Sequence, residues 1–138
     1  MFQTLIISGN LGKDPEKRST PSGQSVCSFN VATNRKFKNQ AGAEVKETTW
    51  FRVTTWGATA DACAQYLHKG GKVLVEGRLT PDPVSGGPKV YTKQDGTAGS
   101  SYEVTASTVR FLSSANESNG NGGSQETPAA ETEEEIPF

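Results

Sequence analysis

Aromatic rings interleaved with cations are the groups in this chain best placed to do chemistry. Trp50 and Arg52 are two residues apart, so an extended backbone puts both on one face. Arg35, Lys36 and Lys38 surround Phe37 in a polar segment, Trp56 lies further along the Trp50 face, and Tyr91 is bracketed by Lys89 and Lys93. Cations meet phosphates and flat rings meet exposed bases, which is what a surface for single-stranded nucleic acid requires. Each stacked base contributes roughly 1–3 kcal/mol with little dependence on its identity. The plainer reading places both tryptophans in a barrel core, Trp56 above all, because it directly precedes Gly57 and a helix.

Catalytic sets are poorly represented. The chain has one histidine, His68, which falls at the end of the expected helix beside Lys69, where it is expected to face the helix C-terminal carbonyls. Cys27 and Cys63 are far apart, with neither CxxC spacing nor a histidine partner, and read as free, partly buried thiols. The glycines of Gly9-Asn10-Leu11-Gly12 lack the lysine and spacing of a phosphate loop. Neither an enzyme nor a His/Cys metal site is expected.

Charge divides the 138 residues into two unlike parts. Residues 1–112 hold all 14 bases against nine acids, a net +5; residues 113–138 hold six acids and no base, −6. The near-neutral total of −1 hides a basic body, suited to a polyanion, joined to an acidic segment that can compete for the same surface. Residues 113–138 are too polar and Gly-rich to fold, so a disordered acidic tail is expected there. Its run Glu133-Glu134-Glu135 is followed by Ile136-Pro137-Phe138, an apolar hook suited to a pocket on a partner protein. A merely solvating tail is the alternative. With no basic leader at the start and no apolar stretch of membrane-spanning length, a soluble cytoplasmic protein is expected.

The elements that must position the rings are mostly strands. Alternation predicts strands over Phe2–Asn10, Gln24–Asn34, Thr48–Trp56, Lys72–Leu79 and Ser101–Leu112, with residues 36–47 as a loop. Between the third and fourth strands, Ala60, Cys63, Ala64 and Leu67 recur at helical spacing, with Thr59 as the expected N-cap and Gly70-Gly71 as the stop. Residues 80–100 are broken by Pro and Gly, with a hairpin extension around Lys89–Lys93. One domain over 1–112, all-β with one short helix, suits a small five-stranded barrel. A split α/β sandwich has a compatible element order, and strand order is not readable from one sequence.

Several stretches in family order resemble bacterial single-stranded DNA-binding proteins. They are Ser8-Gly9-Asn10-Leu11-Gly12-Lys13-Asp14-Pro15-Glu16, Val31-Ala32-Thr33, Thr49-Trp50-Phe51-Arg52-Val53, Tyr66-Leu67-His68-Lys69-Gly70, Val75-Glu76-Gly77-Arg78-Leu79 and the terminal Ile136-Pro137-Phe138. The resemblance implies an oligonucleotide-binding (OB-fold) barrel, a homotetramer that wraps single-stranded DNA, no catalysis and no cofactor. It implies base stacking at Phe37, Trp50, Trp56 and Tyr91, and recruitment of replication, recombination and repair proteins through the tip, Glu133 to Phe138. The basic residues expected to meet phosphates are Arg35, Lys36, Lys38, Arg52, Lys72, Arg78, Lys89 and Lys93.

Four features depart from that family pattern. Phe37 stands where Trp is common, residues 81–88 resemble an insertion that blurs the register of Tyr91, and the acids before the hook are Glu rather than Asp. The linker is also short: about 26 flexible residues span roughly 25–30 Å. A cold-shock-type RNA binder and an adaptor that only presents the tail are the rival functions. The first would prefer RNA, and the second would survive loss of Trp50 and Phe37.

Overall fold

A computed structural model describes residues 1–113. Its elements are β1 (Leu5–Leu11), β2 (Glu16–Ser19), β3 (Ser25–Lys38), β4 (Glu44–Trp56), α1 (Gly57–Tyr66), β5 (Lys72–Leu79), β6 (Lys89–Thr92) and β7 (Ala98–Phe111). The expected tail and its tip, Glu133 to Phe138, lie outside the described residues.

Period-two alternation builds the barrel. Ile7 and Leu11, then Cys27, Phe29 and Val31, then Val53 and Thr55, Val73 and Val75, and Val104 all point inward and are buried. Most are β-branched, as packing on a pleated surface favours. The sheet runs β1-β5-β7-β4-β3 and closes where β1 pairs with β3 at Asn10↔Ala32 and Leu11↔Val31. One neighbouring pair, β4–β7, is parallel, in register Phe51↔Tyr102 to Thr54↔Thr105. A closed five-stranded barrel with a helix between its third and fourth strands is the OB-fold arrangement that the sequence suggested.

The helix covers the end of the barrel formed by Cys27 and Thr55, into which Ala60, Cys63 and nearby Leu67 pack. It begins at Gly57, with Trp56 as N-cap and no side-chain capping hydrogen bond, so the expected cap at Thr59 is corrected. Gly57 has φ +64°, which lets the chain turn from strand into helix without a connecting loop. The helix ends at Tyr66, where the Leu67 N–H donates to the Cys63 carbonyl at 3.0 Å. His68 therefore lies beyond it, its Nδ1 3.1 Å from the Lys69 carbonyl, not on the helix's last carbonyls. Both cysteines are free and fully buried in the core.

Two further differences shape the surface. Residues 36–47 are not a loop. Strands β3 and β4 pair continuously from Val26↔Trp56 to Lys38↔Glu44, and only residues 39–43 turn, with Asn39 Oδ1 accepting from the Ala43 N–H at 3.0 Å. The segment reads as loop because the ribbon extends past the barrel and both its faces meet water, which removes the apolar alternation. The same holds for β2, a four-residue edge strand of exposed polar side chains on β3 that alternation does not reveal. The expected hairpin extension is present as β6 paired with the start of β7, Lys89↔Ser101 to Thr92↔Ala98.

Candidate nucleic-acid interface

With Phe51, Val53 and Thr55 turned into the barrel, strand β4 turns Trp50, Arg52, Thr54 and Trp56 outward. Trp50 is 52% exposed and Trp56 44%, so neither indole belongs to the core. The Trp50 ring reaches across to the end of β1. A Cβ on Gly12 would stand 2.7 Å from its Cζ3, so the bare glycine is what admits the ring there.

A second wall comes from the β6–β7 hairpin. Tyr91, 46% exposed, lies cross-strand from Gly99 and covers it, together with the Lys93 stem. Register across the hairpin and the parallel β4–β7 pairing turn Tyr91 and Lys89 toward Trp50 and Arg52. The four side chains border an open concavity of about 430 Å³ that Asn30 and Glu103 also line. Glu103 Oε2 accepts a 2.6 Å hydrogen bond from Ser101 Oγ.

The remaining expected residues are spread more widely. Cross-strand partners share a face, so Ala32, opposite Trp50, fixes the parity of β3. Lys36 and Lys38 fall on the Trp50 face of the ribbon. Phe37 and Arg35, by contrast, fall on the other face with Val45 and Glu47. There the Arg35 guanidinium sits 4.5 Å from the Phe37 ring centroid while its Nη1 pairs with Glu47 Oε1 at 3.0 Å. Trp56 is on the Trp50 face but about 20 Å along the strand. Arg78 is exposed on β5 opposite Thr105, and Lys72 lies at the far end of β5 opposite Asn10. The structure thus groups Trp50, Arg52, Lys89 and Tyr91, keeps Lys36, Lys38 and Trp56 on the same ribbon face, and separates Phe37, Arg35 and Lys72 from them.

Three residues near the site escaped the sequence reading. Asn30 and Lys13 flank Arg52 in a smaller hollow. The alternation of β3 already places Asn30 outward with Ala32, a signal that was present but carried no chemistry by itself. Tyr102 is 50% exposed with its ring 5.9 Å from that of Phe51, although its place in an alternating strand marks it as core. Among the described residues, no group of three or more His, Cys, Asp or Glu side chains is placed to hold a metal ion, and no helix is long and apolar enough to cross a membrane.

Residues 2–112 match the profile of the single-strand binding protein family. The chain belongs to that family. It is similar to proteins named single-stranded DNA-binding protein from Neisseria meningitidis serogroup A, 35% identical over 116 residues, covering 84% of this chain and 63% of the relative. The corresponding figures for Wolinella succinogenes are 38% over 120 residues, 87% and 70%. Single-stranded DNA-binding protein 1 of Chlorobaculum tepidum is 49% identical over 75 residues, 54% of this chain and 46% of the relative. The chain thus spans less than two thirds of the Neisseria and Chlorobaculum relatives. The family match covers the whole barrel, including β2 and the β6–β7 hairpin.

Proposed function

We propose that this chain binds single-stranded DNA without sequence preference, protects and organises the strand, and brings other proteins to it. The observation that carries the reading is the concavity where Trp50 and Tyr91 stand beside Arg52 and Lys89. Rings take the faces of unpaired bases, which every base offers. Cations take the phosphates, which every nucleotide carries. Duplex DNA hides its base faces, so binding draws the strand equilibrium toward the open form and removes hairpins by mass action. No catalytic step and no cofactor enter this mechanism.

The wider interface follows the same logic. Trp56 and Phe37 take bases at two outlying points. Lys36, Lys38, Arg78, Lys93, Arg35 and Lys72 carry the backbone between and beyond them. The DNA-binding domain is residues 1–112. Residues 113–138, with six acids and no base, compete weakly for the basic groove and give way when DNA arrives. The run Glu133-Glu134-Glu135-Ile136-Pro137-Phe138 docks on replication, recombination and repair proteins; the −6 charge and the two large apolar side chains support this. A homotetramer is part of the proposal. Among the described residues β1 pairs with β3 only at Asn10 and Leu11, which leaves the edge over Leu5–Ser8 unpaired on that side, beside the exposed Ile6. The place of action is the cytoplasm, on the nucleoid.

The test is a competition. A fluorescein-labelled thymidine homopolymer of about 60 nucleotides is bound to the full chain, then challenged with unlabelled single-stranded DNA, duplex DNA and RNA of equal length. Displacement by the single DNA strand at stoichiometric amounts, with duplex far weaker, is expected. Equal displacement by duplex contradicts the reading, and stronger displacement by RNA assigns the surface to RNA.

A further inference from the structure

Tyr102 occupies an unusual place. It pairs with Phe51 where β7 meets β4 in parallel, and shares the inward side of β7 with buried Val104. Below it the core is already filled by Val53 and Val104, both essentially without exposure. Tyr102 stands at the rim, half open to solvent, with Phe51 bracing its ring at 5.9 Å and 41°.

Two hollows meet at this ring. A trough of about 590 Å³ separates the first half of β4 from the start of β7, from Thr48 and Trp50 to Ser100 and Tyr102. It shares Trp50, Ser100 and Ser101 with the Trp50–Tyr91 concavity. Beyond Tyr102 a hollow of about 310 Å³ continues to Leu79, Pro81 and Pro88, where residues 81–88 project from the barrel. Concave surface therefore leads from Tyr91 past Trp50 to Tyr102 and on to the proline loop. The trough walls are rings and hydroxyls, with little aliphatic surface for a peptide side chain. Its carboxylate, Glu47, is paired with Arg35, and neighbouring Glu103 is hydrogen-bonded to Ser101.

We propose that Tyr102 is a further base-stacking position, which carries the single strand from Trp50 over the barrel rim toward the loop of residues 81–88. The inference rests on the single-stranded DNA reading above and adds a subsite to it. An exposed, braced ring at the end of a hydroxyl-lined trough offers one face to a base while sugar and phosphate follow Thr48, Ser100 and Ser101. The proline loop, held by Asp82 Oδ1 accepting from the N–H groups of Val84 and Ser85 at 2.9 and 3.0 Å, forms the far wall.

The experiment uses the full chain carrying Trp50→Phe, Trp56→Phe and Tyr102→Trp, so that its single indole reports on position 102. A labelled thymidine homopolymer of about 60 nucleotides is followed by anisotropy while the indole emission is recorded. Quenching that saturates with the anisotropy is expected. In the otherwise native chain, Tyr102→Leu, which keeps an apolar contact to Phe51, is expected to weaken binding of that homopolymer about fivefold or more. It should leave a short oligomer that reaches only Trp50 and Tyr91 unaffected. Unchanged emission at full anisotropy, with Tyr102→Leu binding as tightly as the native chain, overturns the subsite and leaves the DNA-binding function standing. No anisotropy change with the native chain overturns both.

Discussion

The Trp50 ring rests where a side chain on Gly12 would stand, with Cζ3 and Cη2 2.7 and 2.8 Å from that position. This contact ties the aromatic wall of the interface to the end of β1, on the opposite side of the concavity from Tyr91. Gly12→Ala requires the half-exposed indole to swing away, with little cost to the barrel because neither group is in the core. Weaker binding of a thymidine homopolymer, by up to about tenfold, with a shifted Trp emission maximum and an unchanged unfolding midpoint, is the expected result.

Rings and cations should fail differently. Trp50→Ala removes a stacked base and is expected to cost about 1–3 kcal/mol of affinity at every salt concentration. Arg52→Ala removes a phosphate contact, so the plot of log affinity against log salt should become shallower by about 0.7 for a single strand. Titrations of both variants across a salt series separate the two contributions. Equal salt slopes for both would remove Arg52 from the phosphate path.

The tail prediction is electrostatic. Truncation after Leu112 removes a −6 segment from beside a +5 body, so affinity for single-stranded DNA should rise at low salt and converge with the full chain at high salt. If the truncated and full chains bind alike at low salt, the tail does not compete for the groove.

A pH effect follows from the core. Burial first, then nearby Cys27, pushes the Cys63 thiol from its ordinary 9.0 up to about 11. The folded state thus favours the neutral thiol over a range in which the unfolded chain already ionises. That contribution is complete below pH 9 and is lost as pH climbs toward 11. Denaturant titrations should show stability falling across this window, and less steeply in Cys63→Ala. Alkylating reagents at neutral pH should leave both buried thiols unmodified until the protein unfolds.

How far the fold was legible varied with burial. Strands β3, β4, β5 and β7 have one face in the barrel, so their alternation is visible in Val31, Val53, Val75 and Val104. Where both faces are wet, as in β2 and the outer part of the β3–β4 ribbon, the same backbone leaves no periodic trace. That Trp50 and Arg52 share one face was readable from spacing alone; that the face points outward, and its proximity to Lys89 and Tyr91, were not. That proximity depends on the parallel β4–β7 pairing, a contact between strands some fifty residues apart. Phe37 illustrates the limit in the other direction. Its cationic neighbours are adjacent in sequence, yet strand pairing sends Lys36 and Lys38 to one face and Phe37 with Arg35 to the other. Tyr102 was hidden because alternation assigns a side of the strand and does not say where the barrel ends.

The most direct test of the account is the intrinsic emission of Trp50 and Trp56 in the native chain. It is titrated with a thymidine homopolymer of about 60 nucleotides and, separately, with duplex DNA. Strong quenching by the single strand, saturating stoichiometrically and reduced mainly by Trp50→Phe, is the predicted result. Binding without quenching, equally strong for duplex and abolished by moderate salt, would mean that the rings do not meet bases, and would contradict the proposed interface.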